Sequence, residues 1–104
     1  MDQRINVLVL HSKDSVGVAI HPLREGDCAV YTLDTQEIEL RIVQDIPLYH
    51  KVAIVNMAEG QAAYKYGQVI GRTTSNIKAG QHVHSHNMVS DRESFEEIRR
   101  GEKR

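Results

Sequence analysis

The chain carries six histidines, and three of them fall within "GQHVHSHNM", Gly80 to Met88, at His82, His84 and His86. Neutral imidazole is a common ligand for zinc or iron, and it gives and takes protons near neutral pH. In a strand, residues two apart project to the same side, so the three rings would line one face; a helix would fan them apart. The spacing therefore permits a strand offering His82, His84 and His86 as part of a metal shell. A solvated polar strand end is the plainer reading of the same pattern. No Cys or Asp stands at ligand spacing beside them, so further ligands would come from elsewhere.

A second candidate is His50-Lys51 in "PLYHKVAIV". Proline cannot donate to a ladder and belongs at a strand start or edge, which places this pair at a boundary. His50 is suited to general acid or base work, and Lys51 or Lys65 to meeting a substrate carboxylate by charge; an exposed edge histidine beside a solvated lysine is the plainer reading. In "YKYGQVIG", Gly67 marks a tight turn or a close backbone approach. Strand alternation would put Tyr64 and Tyr66 opposite Lys65, with the tyrosines in the core. Cys28 sits among apolar residues and reads as a small buried hydrophobe.

The elements that must position these residues are short. "EIELRIV" alternates Ile38, Leu40 and Ile42 with Glu37, Glu39 and Arg41, the pattern of a half-buried strand. Further β-rich runs lie at Ile5–Leu10, Val16–Ile20, Cys28–Leu33, Lys51–Val55 and Gln68–Thr74, and turn residues separate them closely. A compact, mainly β domain is expected rather than a βαβ unit, because no segment before residue 90 carries a long helical period. One local pattern recurs: "LREGD", "MAEGQ" and "IKAGQ" share apolar-x-x-Gly-polar. The apolar residue can pin a loop to the core while the glycine takes a positive φ.

At 104 residues one domain with a modest core is expected, divided into a β unit over 1–89 and a C-terminal helix with its tail over 90–104. In that last part, Ser90 and Glu93 form a capping-box signature, and Phe95 and Ile98 share a helical face. Lys and Arg total 13 against 14 Asp and Glu, which argues against nucleic acid or a membrane surface as partner. A lone cysteine and no secretory-type start predict a cytoplasmic protein.

Taken in order, "DSVGVA", "YHKVAIVNMAEGQAAYKYGQVIG" and "IKAGQHVHSHN" resemble the SAF-type domain of the altronate and galactarate dehydratase family, over about Asp14 to Asn87. The resemblance implies a small β-clip fold and a role as the small subunit of a sugar-acid dehydratase, a hydro-lyase working with a large catalytic subunit and a divalent metal such as Fe(II). The family motif falls on His50 and Lys51, on Lys65, Tyr66 and Gly67, and on His84, His86 and Asn87. It implies catalytic roles for His50, Lys51 and His86, substrate contacts from Lys65, Tyr66 and Asn87, and metal ligation by His84 and His86 with the less regular His82. The sulfolactate sulfo-lyase small subunit is similar, and a non-catalytic SAF-type carbohydrate-binding module is the reading from a different class. One departure is Tyr49, where the family commonly has Gly before His-Lys.

Overall fold

In a computed structural model, which describes residues 4–90, those residues form only short antiparallel strands and turns. Strands β1 (Val7–Leu8), β2 (Val16–Ala19), β5 (Lys51–Ala53) and β8 (His82–Val83) make a four-stranded sheet in the order β1-β2-β5-β8. Strands β3 (Cys28–Leu33) and β4 (Gln36–Arg41) form a separate hairpin, and β6 (Ala62–Lys65), β7 (Gln68–Thr73) and β9 (Met88–Ser90) a third sheet. The expected mainly β architecture is what forms. Among the described residues there is no helix, and the expected C-terminal helix, Phe95 and Ile98 included, lies outside them; Ser90 itself closes β9.

Both faces of the four-stranded sheet are buried, because alternate residues feed two cores. Val52 joins Val7, Ala19, Leu23, Ile42 and Ile46 in one. Its neighbour Ala53 joins Val16, Met57, Ile77 and Val83 in the other. Gly17, the register partner of Val52, has no room for a side chain: a Cβ there would lie 2.5 Å from a Val7 methyl.

The recurring turn does what its pattern predicts. Leu23, Met57 and Ile77 are almost fully buried, and Gly26, Gly60 and Gly80 have φ of +93°, +82° and +93°. The turns also come in pairs, joined by single bridges between Leu23 and Ile46 and between Met57 and Ile77. Ile46 thus opens a fourth turn, "IPLYH", that lacks the glycine. Tyr49 occupies that place with φ +66°, so the departure seen in the sequence is a bulky residue in a left-handed conformation. Its side chain is 69% exposed and gains little from packing. The left-handed conformation costs an L-residue about 1–2 kcal/mol, and a glycine loses more chain entropy on folding. Tyr49→Gly is expected to raise stability by about 0.5 kcal/mol as the net of these two effects. Urea unfolding checks this; a loss of stability would show that the phenol ring makes a compensating contact.

Gly80 is needed for space as well as angle. A Cβ at that position would collide with the Arg41 carbonyl oxygen, where Gly80 O accepts from Val43 N at 3.0 Å. This close approach ties β4's exit to β8 and fixes where the histidine segment begins.

Candidate functional site

The strand expected to carry all three histidines stops after Val83. Asn87 ends it: its Oδ1 accepts from His84 N at 3.0 Å, its Nδ2 donates to His82 O at 2.8 Å, and the Asn87 and Met88 amides both donate to His84 O. Short amide side chains compete with a ladder for backbone partners in this way. His84 to Asn87 therefore form a tight turn, and the two-residue alternation that would align His82, His84 and His86 applies only to His82 and Val83.

The turn nevertheless brings imidazoles together, with a further one from another strand. Val52 is the register partner of His82, and His50, two residues before Val52, projects to the same side. The His50 Nδ1 and His82 Nε2 atoms lie 2.8 Å apart. The His84 ring stacks on His50 with centroids 4.3 Å apart, and on His82 at 5.7 Å. One nitrogen from each of His50, His82 and His84 falls within 4.8 Å of the others. His86 lies outside that trio, its ring meeting that of His82, 5.1 Å away and tilted by 37°. Sequence spacing alone missed the link from His50, because it depends on the pairing of β5 with β8 across 32 residues.

The cluster is held rigidly from behind. The His82 amide on the open edge of β8 donates to the Gln44 side chain at 3.0 Å, and Asn87, only 7% exposed, turns its own amide group to the loop backbone. His50 and His82 are half-buried, whereas His84 and His86 face solvent. Desolvation pushes the His82 pKa below the ordinary 6.5, and the neighbouring His50, His86 and His84 charges add to the effect. Desolvation lowers His50 likewise, followed by the charges of His84 and Lys51. Both rings therefore favour the neutral form, which binds metals and accepts protons.

A depressed imidazole pKa has a consequence for stability. The unfolded chain binds more protons than the folded one between the depressed value and about 6.5, so folding stability rises with pH through that window and is flat above it. Urea unfolding with a chelator present is expected to show stability falling as the pH drops from about 7.5 toward 5.5. His82→Ala should flatten the dependence. A wild-type profile that stays flat would mean the rings are as free to protonate as in the open chain.

The lysines occupy the other side of the sheet. Lys51 pairs with Val18 and Val83, in the second core's face, and its pKa is lowered by burial and then by the charge of Lys65. Lys65 ends β6, and its ammonium lies 5.0 Å from the Tyr66 ring centroid. Tyr66 is exposed at φ +55° in a two-residue turn with Gly67, so it does not alternate into the core as expected; the tight turn takes it out of the strand. Cys28 is also exposed, across from Arg41 at the start of β3, and is not the buried hydrophobe its neighbours suggested.

Asp14 carries no signal in the sequence beyond its place in "DSVGVA". Its carboxylate is buried and accepts the amides of Leu10 and His11 at 3.2 Å and of Gly67 at 2.9 Å. Beside it, Ser15 Oγ accepts from Tyr64 N at 2.7 Å. The two residues bind the tip of the β6–β7 hairpin, and with it Lys65 and Tyr66, to the start of β2.

This geometry sits inside a sequence pattern shared with known proteins. The profile of the altronate/galactarate dehydratase SAF domain matches residues 5–91. The chain belongs to this family. Its SAF domain is 37% identical over 90 residues to altronate dehydratase of Escherichia coli, covering 86% of this chain and 17% of the relative. It is 32% identical over 91 residues to (2R)-sulfolactate sulfo-lyase subunit alpha of Chromohalobacter salexigens, covering 85% of this chain and 97% of that one. The Paracoccus pantotrophus subunit alpha is 36% identical over 63 residues, covering 61% of this chain and 94% of that one. The SAF domain thus spans 17% and 15% of the two altronate dehydratases it matches and nearly all of a sulfo-lyase subunit alpha. Among the described residues no helix is long and apolar enough to cross a membrane.

Proposed function

We propose that this SAF domain is the small component of a lyase that eliminates water from a sugar acid, its histidine cluster forming one wall of a site that a large catalytic subunit completes. The observation that carries the reading is the convergence of His50, His82 and His84 nitrogens within 4.8 Å, in a chain belonging to a family named for dehydratases. Three imidazoles with a nitrogen each in common reach, His50 and His82 among them biased to the neutral form, suit a divalent metal such as Fe(II). Bound there, the metal would supply Lewis-acid stabilisation of negative charge.

The protein's own groups supply part of what remains. Elimination from a 2,3-dihydroxy acid removes the C2 proton and expels the C3 hydroxyl as water, leaving an enol that becomes a 2-keto-3-deoxy acid. With His50 held in the trio, the proton-transfer group this domain offers is His86, in solvent beside it, able to deliver a proton to the departing hydroxyl, while the base that takes the C2 proton comes from the large subunit. Lys51 and Lys65 make a second cationic point round the strand end, where a carboxylate is attracted and Lys51 is close enough for its charge to be felt at His50. Tyr66 stands beside Lys65 at the mouth of that point.

A second reading, a sulfo-lyase small subunit that helps expel sulfite from sulfolactate, is favoured by the near-complete coverage of subunit alpha. Co-purification with a large dehydratase-type subunit, followed by assays on hexonates, hexarates and sulfolactate, decides between them. Keto-acid release from a hexonate or hexarate supports the first reading and sulfite release the second. Absence of both from a stable complex would leave a carbohydrate-binding module. Robust dehydratase activity of the 104-residue chain alone would sink the two-component scheme.

A further inference from the structure

The four related turns differ in one respect that bears on the histidine cluster. In the three that carry a glycine, the polar residue after it caps its own turn. Asp27 Oδ2 accepts from Arg24 N at 2.8 Å, Gln61 Oε1 from Ala58 N at 3.0 Å, and Gln81 Oε1 from Lys78 N at 2.7 Å. The backbone bond that closes each turn is shared by all four: Asp27 N to Arg24 O, Gln61 N to Ala58 O, Gln81 N to Lys78 O and His50 N to Pro47 O span 2.9 to 3.1 Å. By this correspondence His50 stands where the other turns place their capping side chain, and Pro47 stands where they place the capped amide.

Proline has no N–H to offer. A histidine Nδ1 sits at about the reach of an aspartate oxygen, and this protein shows such a cap elsewhere: His11 Nδ1 accepts from Lys13 N at 3.0 Å. The His50 Nδ1 is instead the atom that meets His82 Nε2 at 2.8 Å. We propose that Pro47 is a positioning residue for the cluster: by deleting the amide hydrogen that its three counterparts present, it withholds the competing local partner and leaves His50 Nδ1 to the site. The effect on metal affinity rests on the function proposed above, whereas the release of His50 does not.

Pro47→Ala restores the amide and makes the inference testable in the full chain. Nitrogen-15 NMR of the imidazoles should show His50 Nδ1 exchanging its His82 partner for the restored amide at position 47, with the backbone amide spectrum otherwise retained. Titration with cobalt(II) should show affinity falling about tenfold or more, the usual effect of disturbing a residue that orients a ligand. The converse variant, Ala58→Pro, removes the amide that Gln61 caps; it should release the Gln61 side-chain amide, seen in its NMR signals, and leave cobalt affinity unchanged. If Pro47→Ala keeps the His50–His82 contact and the wild-type affinity, or if Gln61 stays in place in Ala58→Pro, the inference is overturned. Should the wild-type chain bind no cobalt, the metal role fails on its own, and the imidazole spectra still decide what Pro47 does.

Discussion

On the proposed two-component reading, replacing His84 with Ala is expected to slow the reconstituted enzyme by about a hundredfold or more, with little loss of folding stability. The asymmetry follows from where the ring sits. His84 faces solvent in the turn after β8 and belongs to neither core, so its removal leaves no cavity. Its ring is stacked on His50 at 4.3 Å and is one of the three with nitrogens in common reach, so its removal takes away a ligand or a proton donor. His50→Ala should match it in activity. His86→Ala should be milder, about tenfold, because His86 lies outside the trio and touches it at His82. Ser85→Ala, in the same turn, is the control and should change turnover little. Steady-state rates and metal content check all four. Full turnover and metal in His84→Ala and His50→Ala would show a solvated face, and the chemistry would have to be sought at Lys51 and Lys65.

The parts of this fold that local physics dictates could be read directly. The alternation in "EIELRIV" is β4 with its half-buried Ile38 and Leu40, and the apolar-x-x-Gly-polar turns appear with buried anchors and positive-φ glycines. The fourth turn escaped because Tyr49 took the place of the glycine by which the others were recognised. The site was legible in composition but not in arrangement. Alternating histidines implied one face, yet Asn87, through its bonds to His82 O and His84 N, ends the strand after two residues. His50 enters through a ladder register that no local window contains. Nothing in "KDSVGVA" marks Asp14 as a buried hub, since its three partners lie in two segments that are distant in sequence from one another.

That hub is where the largest loss of stability is expected. Asp14→Ala removes one carboxylate and leaves three amides, on Leu10, His11 and Gly67, without their acceptor. Among the described residues no buried side-chain nitrogen or oxygen lacks a partner, so the variant breaks a network that is satisfied in the native structure. Each buried amide left unpaired costs about 1–3 kcal/mol, although water will reach some of them at the protein's edge; a total near 3 kcal/mol is a fair expectation. That is a large share of the roughly 5–15 kcal/mol that holds a domain together. Asp14→Asn keeps one acceptor oxygen but turns an NH2 toward the others, so it should recover only part of the loss. Ser15→Ala, which removes the 2.7 Å bond to Tyr64 N, should cost about 1 kcal/mol. Urea unfolding orders the three variants. Hydrogen exchange locates the damage, which should appear at Gly67, Leu10 and His11 and spare the Leu23–Ile46 bridge, to which Asp14 makes no hydrogen bond. If Asp14→Ala unfolds with the wild-type midpoint, water has replaced the carboxylate at no cost, and the tip carrying Lys65 and Tyr66 must be held by Ser15 and the strand pairing alone.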